Sequence, residues 1–72
     1  MEKSELGRIF SIASSRIAES CSELYESLFD KEGQPLYDID EINAHIRAFQ
    51  RQVGVEADLI RQAIIEYKET ND

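Results

Sequence analysis

The stretch Asp30-Lys-Glu-Gly-Gln-Pro-Leu-Tyr37 separates two long segments that each carry a helical pattern. Gly33 permits backbone conformations that other residues avoid, and Pro35 lacks the backbone N–H that a helix interior requires. The pair predicts that a first helix ends near residue 29, that the chain reverses over residues 30–37, and that a second helix follows. Leu36 and Tyr37 are expected to close the end of the core.

The segment before this break, residues 3–29, contains no proline and repeats apolar residues at helical spacing. Because an α-helix has 3.6 residues per turn, steps of three and four place side chains on one face. The main stripe is Leu6, Phe10, Ala13, Ile17, Cys21, Leu24 and Leu28. Further apolar residues widen it: Ile9, Ile12, Ala18, Tyr25 and Phe29. One helix over residues 3–29 is therefore predicted.

The segment after the break, residues 38–69, carries a second apolar seam. Asp38 or Asp40 is expected to cap its first turn, with Glu41 three residues after Asp38 in capping-box position. The seam begins with Ile39, Ile42, Ile46, Phe49 and Val53. If the helix passes through Gly54, the predicted seam continues with Ala57, Ile60, Ile64 and Tyr67.

Gly54 leaves two all-α architectures open for a single small domain of residues 1–72. A continuous second helix gives an antiparallel helical hairpin of residues 3–29 and 38–69. Its surplus apolar side chains predict that two hairpins dimerise into a four-helix bundle. A break at 53–55, with Gly54 as the left-handed residue after a helix, gives a three-helix domain instead.

The charge balance restricts the classes of partner. The 72 residues contain 8 Lys+Arg and 15 Asp+Glu, a net charge of -7. Nucleic acids and anionic membrane surfaces are attracted by basic residues, so both are disfavoured, whereas a basic protein partner is compatible. No apolar run approaches the roughly 18 residues of a membrane span, and the acidic start Met1–Glu5 does not resemble a signal peptide. A cytoplasmic location is therefore expected.

Residue patterns that could support catalysis or metal binding are weak. Asp30–Glu41 has the length of an EF-hand loop, but Pro35 stands where that loop requires glycine, so capping acids beside a turn are the better interpretation. His45 is the only histidine, and Cys21, the only cysteine, is expected to be an inert buried thiol. We expect no catalytic residues, no cofactor and no metal.

Protein–protein interaction is the function that these observations favour: a non-catalytic regulator, adaptor, inhibitor or immunity-type protein, expected to be a homodimer. Residues 30–41 hold five acids and one lysine, so this end of the molecule is expected to meet a basic partner. The predicted interaction surface consists of Ile9, Ile12, Tyr25, Phe29, Asp30, Glu32, Asp38, Asp40, Glu41, Leu59 and Ile65.

A helix-turn-helix DNA-binding regulator is the alternative, because the apolar residues around Gly54 reproduce the spacing of such a turn. Its second helix would begin Glu56-Ala57-Asp58, and acids disfavour DNA at the N-terminal end of a reading helix. The DNA contacts would then be Arg47, Arg51, Arg61 and Gln62. A weaker alternative is an acidic mimic of nucleic acid that occupies a basic groove on a DNA-binding protein.

Overall fold

Two helices packed against each other make up the fold. A computed structural model describes residues 1–71, with α1 at Lys3–Leu28 and α2 at Ile39–Asn71. The molecule is elongated, with principal extents of 52 × 21 × 8 Å. The helical hairpin predicted from the sequence is confirmed.

The second helix passes through Gly54 without interruption, so the alternative of a break at 53–55 and a three-helix domain is wrong. One interior glycine costs a helix only about 1 kcal/mol relative to alanine. Val53 and Ile60, before and after the glycine, are both partly buried against the hairpin. Burial of the seam on both sides of Gly54 offsets the conformational cost.

The turn between the helices is held by the Asp30 carboxylate. Its Oδ1 accepts hydrogen bonds from the backbone N–H of Glu32 at 2.9 Å and of Gln34 at 2.8 Å. Gly33 has φ 80°, in the left-handed region that glycine adopts at little cost. Asp30 therefore serves the reversal of the chain, as an Asx turn does.

The start of α2 is capped as predicted, since Asp38 Oδ1 accepts a hydrogen bond of 2.9 Å from the backbone N–H of Glu41. The two apolar residues before this cap are exposed, so the expectation that Leu36 and Tyr37 close the core is wrong. Tyr37 instead stacks on the ring of His45, with 4.8 Å between the ring centroids.

The buried seam of α2 differs from the predicted one at its first residue, since Ile39 is 71% exposed, and again after Gly54. Glu56 and Ala63 are buried, whereas Ala57 and Ile64, which the sequence analysis placed in the seam, are exposed. Steps of four and three continue unbroken along Ile42, Ile46, Phe49, Val53, Glu56, Ile60, Ala63 and Tyr67. That alternation averages 3.5 residues per turn and keeps one side of the helix against its neighbour.

The buried residues of α1 also differ from the predicted apolar stripe, by one position at two points. Ile9 and Ser20 are partly buried, whereas the predicted Phe10 and Cys21 are exposed. Cys21 is therefore not the buried thiol that its place in the apolar stripe indicated. A displacement of one residue rotates a side chain by about 100° around the helix axis, away from the seam.

The core is thin. No large side chain among residues 1–71 is fully buried, and the buried apolar residues are Ala13, Leu28 and Ala63. At the open end, the Met1 amino group donates a hydrogen bond of 2.9 Å to Thr70 Oγ1, so the two helices are aligned along their lengths. A two-helix hairpin of this kind leaves most of its apolar side chains partly exposed.

Substitution by alanine should have opposite effects on stability at Gly33 and at Gly54. Neither would place a new Cβ within 4 Å of another group, so only backbone conformation decides the result. Gly33→Ala should lower the free energy of unfolding by about 1 kcal/mol because of the positive φ, and Gly54→Ala should raise it by a similar amount. Thermal melts of both variants at one protein concentration check this. A lower melting temperature for Gly54→Ala would contradict it.

Candidate interaction surfaces

One carboxylate lies inside the interface between the helices. The Glu56 side chain is 4% exposed, and its Oε2 lies 3.6 Å from Nη1 of Arg16, a side chain that is 56% exposed. Within residues 1–71, Oε2 receives no hydrogen bond. The 3.6 Å separation is an ion-pair distance and exceeds that of a hydrogen bond.

Burial of this carboxylate is costly because an ionised group loses its hydration when it leaves water. A buried charge is usually compensated by hydrogen bonds from a close partner. Arg16 supplies charge of the opposite sign but remains largely in solvent, where such pairs contribute little. Glu56 is thus a buried carboxylate with one oxygen that accepts no hydrogen bond from the described residues.

An apolar groove opens beside Glu56, along one side of the line where the helices meet. Its volume is about 360 Å³. Ile9, Ile12 and Leu59 form its walls, together with the buried Ala13 and Ala63. We call this the interhelical groove. It brings together three of the residues predicted for an interaction surface, namely Ile9, Ile12 and Leu59.

Sequence reasoning missed three polar residues of the interhelical groove, Arg16, Glu56 and Glu66, and named the fourth, Gln62, only as a DNA contact. A signal for Glu56 was present, because the steps of four and three that end at Val53 place the next seam position at residue 56. Two polar residues, Arg16 and Glu66, flank the apolar walls at their edges. No comparable signal singled them out.

A second recess continues the interhelical groove toward the turn. The small residues Ser20, Ser27 and Ala48 line it together with larger ones, among them the partly buried His45 and Phe49. His45 Nδ1 donates a hydrogen bond of 2.8 Å to the carbonyl of Glu41, which fixes its ring beside the helix. The groove side of the hairpin therefore presents two successive depressions along both helices.

On the opposite side of the hairpin the two helices carry no acidic residue, and at its turn end Tyr25 borders a recess that Glu26, Asp30 and Glu32 also line. Phe10 lies about 100° around α1 from the groove residue Ile9, on the other side of the seam. Counted at that angle per residue, no Asp or Glu within Lys3–Leu28 or Ile39–Asn71 falls on this side. We call it the acid-free face, and its exposed residues include Phe10, Ser14, Ala18, Cys21, Tyr25, Gln50, Ala57 and Ile64, together with the basic Lys3, Arg61 and Lys68.

The remaining predicted interaction residues do not join the interhelical groove. Tyr25 and Phe29 form an aromatic pair, with ring centroids 5.2 Å apart, at the turn end of the hairpin. Ile65 is exposed by itself on the outer surface of α2. The predicted acids, all at the turn end, are exposed as well: Asp30, Glu32, Asp38, Asp40 and Glu41.

The basic residues named for DNA binding lie along one uninterrupted helix. Arg47 and Arg51 line a shallow recess with Gln50, and Arg61 and Gln62 follow farther along α2. The corner that a helix-turn-helix needs at Gly54 is not formed.

In the described part of the chain, no three His, Cys, Asp or Glu side chains are grouped as a metal site.

Neither helix of residues 1–71 carries an apolar stretch long enough to cross a membrane. Comparisons with models of protein families, with curated proteins and with solved structures gave no significant match. The function of this chain therefore has to be inferred from its own surfaces.

Proposed function

We propose that the protein acts without catalysis, by protein–protein association, and that its first partner is a second copy of itself. The observation that carries this proposal is the acid-free face. Tyr25 is 64% exposed there, with Phe10 at 41% and Ile64 at 44%, on a hairpin that fully buries no large side chain of residues 1–71. Large apolar side chains that remain exposed on one face are typical of an interface.

Charge supports a second copy as the occupant of the acid-free face. Each chain carries a net charge of -7, so two copies repel each other wherever their acids approach. Two copies can meet at a face without helical acids, where the long side chains of Lys3, Arg61 and Lys68 can keep their charges in solvent. The small residues Ser14, Ala18 and Ala57 near its middle allow two helix pairs to approach closely.

The positions of the large side chains also suit a two-fold axis. The Arg16–Glu56 pair lies near the middle of both helices, so an axis at that level gives full overlap of two antiparallel hairpins. Phe10 lies six residues from Arg16 and Cys21 five residues on the other side, so Phe10 would meet the partner's Cys21. Ile64, eight residues beyond Glu56, would lie at the level of the partner's Tyr25, which is nine residues beyond Arg16. A four-helix bundle results.

The dimer would leave the turn end free to meet a basic partner, as expected of a regulator, adaptor, inhibitor or immunity-type protein. Asp30 and Asp38 already accept backbone hydrogen bonds, whereas Glu32, Asp40 and Glu41 are exposed without such bonds from their own side chains in the described residues. Charge-reversal tests of this end should therefore use Glu32 and Asp40, which leave the turn and the helix cap intact.

Light scattering after size exclusion tests the proposed dimer. At micromolar concentration we expect a mass twice the 8.3 kDa of one chain, falling toward the monomer value on dilution. The melting temperature should rise with protein concentration, because association stabilises the folded chain by mass action. A mass of one chain at every concentration up to about 1 mM, the range of weak association, would refute the proposal.

A further inference from the structure

The interhelical groove combines apolar walls with a buried acceptor that lacks a hydrogen bond. Ile12 and Leu59 expose much of their side chains along its edges. Glu56, whose Oε2 is buried beside Arg16 without a hydrogen bond from residues 1–71, is among its lining residues. Such a combination matches a ligand with an aliphatic stem and a cationic head. Lysine and arginine side chains have this form, since their methylene stems cover apolar surface while the head group seeks a polar partner.

We propose that the interhelical groove binds a lysine or arginine side chain presented by an amphipathic helix of a partner protein. The stem would pack between Ile12 and Leu59, and the cationic head would donate a hydrogen bond to Glu56 Oε2. The proposal rests on the proposed function, because it names the class of protein that associates with this side of the hairpin. The second copy occupies the acid-free face and leaves the groove open.

A helix fits this side better than an isolated side chain. The interhelical groove and the recess that continues it extend from Ile9 to Ser27 along α1. At 1.5 Å per residue this distance is about 27 Å, or about five helical turns. The small side chains of Ser20, Ser27 and Ala48 leave room for apolar residues of the incoming helix. Docking of an amphipathic helix into a groove between helices is an established mode of recognition.

The net charge of -7 also favours a basic partner, because it attracts cationic segments over distances near the Debye length. Arg16 works against the cation at short range, since its guanidinium already lies 3.6 Å from Glu56. Because the Arg16 side chain is mostly exposed, it can move into solvent when the incoming head group takes its place. Arg16→Gln is therefore expected to strengthen binding of the basic helix.

A selection experiment tests the proposal without assuming a natural partner. The probe is a displayed library of 18-residue amphipathic helices in which the centre of the apolar face is randomised to all amino acids. Selection against the wild-type protein should enrich lysine and arginine at that centre, and selection against Glu56→Gln should not. Glu66→Gln, which removes an equal charge at the exposed edge of the same groove, is the control and should retain the enrichment.

Binding constants of individual peptides complete the test. A selected peptide with lysine at the centre should bind the wild-type protein about tenfold more tightly than the same peptide with norleucine, as expected for one charge-assisted hydrogen bond. Equal affinities, no binders, or equal enrichment of basic residues against Glu56→Gln would overturn the inference. The proposed dimer is tested separately, by the mass of the wild-type protein in solution.

Discussion

Replacing Phe10 and Ile64 together by glutamate should convert the proposed dimer to a monomer. Both side chains lie on the acid-free face and are about two-fifths exposed, so their replacement does not disturb the seam within one hairpin. The change would place four new acids in the dimer, each in place of an apolar side chain of the proposed interface. We expect the dissociation constant to rise at least about 100-fold, as for loss of central apolar contacts.

The matched control is Ile12→Glu with Leu59→Glu, on the groove side of the hairpin. These two residues have similar exposure, and the double variant has the same net charge. If the acid-free face is the interface, the control keeps a dimer mass at concentrations where the Phe10 and Ile64 variant is monomeric. Equal weakening by both double variants would indicate general charge repulsion and would contradict the assigned face.

The helices and the turn could be predicted because strong local signals define them. Gly33 and Pro35 interrupt two long stretches of helical spacing, and Asp38 supplies a cap three residues before Glu41. Continuity of α2 could not be decided from Gly54, since one glycine is tolerated or not according to the packing around it. That packing depends on α1, which is remote in sequence.

The register of the seam and the interhelical groove were harder to predict. Where an apolar residue adjoins a polar or small one, as with Ile64 beside Ala63, hydrophobicity favours the larger residue, but the 3.5-residue repeat selects the smaller. Glu56 was missed for the same reason, because a carboxylate is an unusual occupant of a seam position. Continuing the repeat past Val53 without regard to residue type would have indicated it.

Replacing Glu56 by leucine should stabilise the isolated protein. The substitution removes a buried carboxylate that has one ion-pair contact at 3.6 Å and no hydrogen bond at Oε2. Exchanging a buried ionic group for an apolar residue of similar volume is often neutral or stabilising by about 1–4 kcal/mol. For a chain of this length, each 1 kcal/mol raises the melting temperature by about 4–8 °C.

Glu19→Leu is the control for the stability measurement, because Glu19 is an exposed helical residue and the change in charge and in helix propensity is the same. Melting of both variants at equal protein concentration should show a rise of at least about 4 °C for Glu56→Leu relative to Glu19→Leu. A lower melting temperature for Glu56→Leu would mean that the Arg16 pair stabilises the hairpin. A stabilised Glu56→Leu variant that also loses its preference for basic helices would show that the carboxylate is retained for recognition, at the expense of stability.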